Sequence, residues 1–123
     1  MAFKNKETAS KYYILHRKQM IQKSMKYNKI LRHKLMQYVY DYLASHPCVE
    51  CGESDVRVLE FDHVRGIKRT EVMRLASGAY GWNAVKEEIK KCDIRCANCH
   101  RRKTAIEFQW YKNLDRKAQT LRN

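Results

Sequence analysis

Two Cys-x-x-Cys pairs, Cys48-Val49-Glu50-Cys51 and Cys96-Ala97-Asn98-Cys99, stand 44 residues apart in a chain of 123 residues. A two-residue gap lets one turn present both sulfurs to a single ion while backbone N–H groups bond back to the thiolates. Two such turns supply four thiolates, the closed tetrahedral shell that a structural Zn²⁺ prefers. Gly52, directly after the first pair, frees the backbone to make that turn. The competing readings are a CxxC redox couple and two disulfides. No secretory signal and no apolar stretch of membrane-spanning length is seen, so the expectation is a cytoplasmic protein whose thiols stay reduced and bind metal. A chain this short buries a small core, and a bound ion would add folding free energy that the core lacks. Cys92, the fifth cysteine, is expected to be a small buried hydrophobe.

The net charge of +13 is unevenly spread. Residues 1–46 carry ten Lys/Arg against Glu7 and Asp41, residues 47–100 carry nine basic and nine acidic groups, and residues 101–123 carry seven basic groups against Glu107 and Asp115. A neutral centre flanked by two cationic arms is how a polyanion-binding chain is built. The boundaries expected from this are a basic helical arm over 1–46, a zinc-stapled core over 47–104 and a basic helix or tail over 105–123.

From Thr8 to Ser45 there is no Pro or Gly. Leu31, Leu35, Val39 and Tyr42 recur at helical spacing, and Ile14, Ile21 and Met25 suggest an earlier, less regular helix. His46-Pro47 is expected to stop the second helix, because the residue before proline avoids the helical region. Residues 56–64 read as a strand, 70–76 as a short helix, and Asn83 to Lys91 as a helix capped by Asn83. The segment "HRRKTAIEFQWY" after Cys99 is expected to run on as a helix.

Asp62 and His63 sit side by side at the end of the apolar run "VLEF". Neighbouring strand residues face opposite ways, so the two can divide labour where the strand ends. Asp62 is the better ligand for a hard cation such as Mg²⁺ or Mn²⁺, and His63, titrating near neutrality, is the better proton acceptor. His100, next to Cys99, can supply a second ligand opposite Asp62, with the zinc frame bringing the two segments together. Each residue alone has a plainer explanation as a turn or surface residue.

"LEFDHVRG" followed by "CANCHRRKT", framed by the two CxxC pairs, resembles the zinc-containing HNH endonucleases over residues 46–104. The resemblance implies an α+β fold with a small ββα-metal (His-Me finger) core and a tetra-cysteine zinc site, preceded by basic N-terminal helices. It further implies that Asp62 and His100 hold a divalent cation, Mg²⁺ or Mn²⁺, and that His63 is the general base in hydrolysis of DNA, leaving 5′-phosphate and 3′-hydroxyl ends. Lys91 stands where many members carry the middle asparagine, and Asn98, the nearest asparagine, is assigned a supporting catalytic role. Thr104 stands where some relatives have a further histidine ligand. Arg65, Arg101, Arg102 and Lys103 beside the site, and Lys18, Lys23, Lys26, Arg32 and Lys34 in the first arm, are expected to contact DNA phosphates. The resemblance is compatible with a role in a phage, a mobile element or a defence system, alone or as an accessory to a larger machine. The alternative is a zinc-finger-like module that binds nucleic acid without cutting it, for which Asp62, His63 and His100 need not act together.

Overall fold

The computed structural model describes residues 6–114. One 40-residue helix, α1 (Lys6–Ser45), is followed by a 3₁₀ turn (Val56–Val58), strand β1 (Leu59–His63), helices α2 (Val72–Ser77) and α3 (Trp82–Lys90), strand β2 (Cys92–Cys96) and helix α4 (Ala97–Glu107). The expected basic tail lies outside the described residues from 115 onward.

The two helices expected before Pro47 are a single one. Nothing between Thr8 and Ser45 breaks it, and an irregular apolar pattern does not end a helix that lacks Gly and Pro. At about 1.5 Å per residue it is on the order of 60 Å long. Only its C-terminal half is packed: Leu35, Val39 and Leu43, at four-residue intervals, are buried and Leu31 partly so. They share one core with Val72, Leu75, Ala76, Val85, Ile89 and Ile94. That half of the expected arm therefore belongs to the core, and the overhang is the part before Leu31. The helix ends where His46 was expected to end it. The ring of His46 stacks on Tyr42, 3.8 Å between centroids, and its Nδ1 lies 2.7 Å from the Tyr42 carbonyl.

The strand expected over 56–64 is shorter. Asp55 caps the 3₁₀ turn by accepting from the Arg57 N–H, so pairing begins only at Leu59. β1 and β2 form an antiparallel pair with Leu59 opposite Cys96, Phe61 opposite Ile94 and His63 opposite Cys92. The second strand was not anticipated from the residues. Cys92, Ile94 and Cys96 are buried while Asp93 and Arg95 alternate with them, a period-two pattern hidden by the cysteine motif it runs into. α3 starts at Trp82, its N-cap being Gly81 at φ 115°, so the expected cap Asn83 lies within the helix instead. α4 stops at Glu107, short of its expected run, and Gln109 and Tyr111 take positive φ of 51° and 68°.

Candidate functional site

The four cysteines converge. Their sulfurs lie within 4.8 Å of one another, and those of Cys51 and Cys96 are 3.7 Å apart. A tetrahedron with Zn–S bonds of about 2.3 Å has edges of about 3.8 Å, so the donor set has the size and chemistry for zinc. Turn chemistry places them. Gly52, at φ 78°, donates its N–H to the Cys48 carbonyl at 2.9 Å, and the Val49 N–H bonds the Ile94 carbonyl at 2.9 Å, docking the first turn on β2. The Cys99 N–H points at the Cys96 sulfur at 3.4 Å. Burial alone would push the Cys48 thiol up, but N–H groups of Cys51, Cys96 and Glu50 bring it down to about 6. Its neighbour Cys99, hydrogen-bonded to Cys96 and partly desolvated, is pushed up to about 12. Four crowded sulfurs do not all ionise without a cation. Cys92 is apart from this set, buried against α3 with its thiol donating to the Glu88 carbonyl at 3.3 Å. Burial raises its pKa to about 11.

Register puts Glu60 and Asp62 of β1 on the same face as Asp93 and Arg95 of β2, and α4 packs against that face. His100 and Lys103, one turn apart on α4, both reach Asp62. The His100 Nε2 lies 3.4 Å from Asp62 Oδ1, and Lys103 Nζ lies 3.2 Å from Oδ2. Arg95 Nη1 donates to Oδ2 at 2.6 Å. Asp62 is thus a buried carboxylate whose second oxygen is held by two cations, leaving Oδ1 towards His100. The other ring nitrogen of His100, Nδ1, lies 2.7 Å from Glu60 Oε2. A carboxylate behind an imidazole orients the ring and raises its basicity as a ligand. Cis ligands of an octahedral ion with bonds of about 2.1 Å stand about 3 Å apart, so Asp62 Oδ1 and His100 Nε2 are close enough to share one. Glu60 was not among the expected site residues. Its signal was its spacing, two before Asp62 and so on the same strand face.

His63 ends β1 and, by strand alternation, faces the other side, towards α3. Its Nε2 lies 3.1 Å from Glu88 Oε1, while its Nδ1 makes no hydrogen bond among the described residues. Glu88 is 1% exposed and also accepts from the Arg69 N–H at 2.8 Å and from Lys91 Nζ at 2.8 Å. Burial works against its charge, yet these donors hold its carboxyl down at about 2. Lys91 spans from Glu88 to the Ile67 carbonyl, 2.7 Å away, and its own carbonyl accepts from Val64 and Arg65. It staples the loop after β1 and makes no hydrogen bond to His63. Glu88 also went unanticipated, although a glutamate between Val85 and Ile89 on the apolar face of a short helix was a visible anomaly.

The remaining expected residues separate into two groups. Asn98 is exposed on the first turn of α4, beside Cys51 and Arg102, with no hydrogen bond to His63 or Asp62. Arg65 is engaged by Asp93 and by the carbonyls of Lys90 and Cys92, at 2.7 and 3.1 Å, so its guanidinium closes the end of α3. Arg101 lies over the Trp110 ring at 5.3 Å, and Arg102 is exposed. Lys18, Lys23, Lys26, Arg32 and Lys34 are exposed along α1 and form no ion pair among the described residues. No helix among the described residues is long and apolar enough to cross a membrane. No protein-family model, curated protein or solved structure matches the chain.

Proposed function

We propose that this chain is a metal-dependent DNA endonuclease of the HNH type, with a zinc-stapled ββα-metal core. The observation that carries the reading is the approach of Asp62 Oδ1 and His100 Nε2 to 3.4 Å across β1 and α4. His63, the last residue of β1, lies on the other strand face, and its Nδ1 makes no hydrogen bond among the described residues, so a phosphate would have to lie across the strand end to reach both. A divalent cation, Mg²⁺ or Mn²⁺, held by Asp62 and His100 would supply Lewis acidity and a docking point for a phosphate oxygen. Glu60 orients His100 for that role. His63 accepts the proton of a water through Nδ1, the water oxygen bonds to phosphorus, and the bond from phosphorus to the 3′ oxygen breaks. The 3′ oxygen takes a proton from solvent, leaving 3′-hydroxyl and 5′-phosphate ends. Arg95 and Lys103 beside Asp62 oppose a free cation, so metal and phosphate enter best together. Arg102 and the lysines of α1 grip the phosphate backbone, which sets affinity rather than sequence preference.

The test is nicking of supercoiled plasmid with Mg²⁺ or Mn²⁺, comparing wild type with His63→Ala. Nicking by wild type and a loss on the order of 100-fold in the variant are expected. The second reading, a zinc module that binds nucleic acid without cutting it, is favoured by two observations: Asp62 is already satisfied by Arg95 and Lys103, as in a purely structural ion pair, and His63 faces α3 on the strand face opposite Asp62 and His100. Wild type that shifts DNA on a gel and never nicks under any divalent metal establishes that reading.

A further inference from the structure

A buried glutamate on α3 has no part in the chemistry above. Between Val85 and Ile89, where the core would accept an apolar side chain, Glu88 is 1% exposed. Desolvating a carboxylate is costly unless each lone pair is met, and here each oxygen is. Oε2 faces the Lys91 ammonium, and Oε1 faces both the Arg69 amide N–H and His63 Nε2. Neither the ammonium nor the amide can accept a hydrogen. Both oxygens are therefore occupied by donors, and the carboxylate is acceptor-only towards the imidazole.

We infer that Glu88 is the positioning residue of His63. Whenever the ring is neutral, Glu88 fixes it in the tautomer with hydrogen on Nε2, which leaves the lone pair on Nδ1, the nitrogen away from Glu88. Tying Arg69 and the loop after β1 would need only Oε2 and one acceptor contact, whereas the imidazole bond adds orientation to the one group proposed to move a proton. A base presented in the wrong tautomer has a hydrogen where its lone pair is needed. The positioning role rests on the nuclease reading; the tautomer assignment does not.

The 123-residue, zinc-loaded chain, labelled with ¹⁵N, tests the assignment directly. At a pH where the ring is neutral, a long-range ¹H–¹⁵N spectrum should show His63 Nε2 protonated and Nδ1 bare, and Glu88→Ala should shift the ring towards a mixture of tautomers. In the nicking assay Glu88→Ala should lower turnover on the order of 100-fold with KM for plasmid unchanged. Glu88→Gln, whose Oε1 still accepts from Nε2, should recover most of it, which a purely structural role would not produce. Hydrogen on Nδ1 in wild type overturns the inference whatever the assay shows. So does a folded Glu88→Ala that nicks as fast as wild type. Wild type that never nicks while showing the Nε2-protonated ring removes the nuclease reading and leaves the tautomer assignment standing.

Discussion

Asp62, His63, His100 and the four cysteines were visible as residues, because carboxylate, imidazole and thiolate at those spacings have few uses. Their partners were not. Glu60, Glu88, Arg95 and Lys103 lie up to 41 residues from the groups they touch, and nothing local marks a Glu as the one that meets a histidine across α3 and β1. Glu88 also makes a stability prediction. Its carboxyl titrates at about 2 in the folded chain against an ordinary 4.5, so its contribution is whole at neutral pH and is lost as pH falls from about 4.5 towards 2. The advantage of wild type over Glu88→Gln, read from denaturant midpoints at each pH, should shrink by about 1 kcal/mol between pH 7 and pH 4. A gap that stays constant over that range would mean that Glu88 is not held charged by its donors.

At the scale of elements, α1 has two environments along one axis. Leu35 and Val39 are fully buried, while Ile14, Ile21 and Met25 on the overhang are exposed. Leu35→Ala should cost about 2–5 kcal/mol in denaturant unfolding, through the lost contacts and the cavity left behind. Ile21→Ala should stay within about 0.5 kcal/mol of wild type. Similar losses for both would place the overhang against the core. The exposed lysines should act through phosphate contacts, so replacing Lys18, Lys23 and Lys26 by Ala should reduce the slope of log affinity against log salt by about 1 per lost contact. Binding that is flat in salt would assign them another task. The apolar periodicity of residues 31–43 made the packed half legible, but β2 was not, since its five residues run directly into the second CxxC motif, with which they share Cys96.

For the whole molecule, the cysteine cluster is the joint at which β2, the start of α4 and the turn after α1 meet. The four cysteines could hold a metal such as zinc, and an ion that binds the folded state alone would add to the margin of a core this small. Chelation, or Cys99→Ser, should abolish the cooperative thermal transition and lower the helical circular dichroism of the central segment, with zinc content falling from one per chain towards none. A Cys99→Ser chain that melts like wild type would remove the ion from the fold.

The order of residues alone determined the tetrathiolate ligand set, the neutral centre between cationic segments, and the absence of a helix breaker before Pro47, because each depends on residue type and local spacing. Tertiary structure alone decided which strand face carries Asp62, that His100 lies 3.4 Å from it, and that His63 meets Glu88. Those pairings depend on the register of β1 against β2 and on the docking of α3 and α4, where a shift of one residue along a strand would turn every side chain to the other face.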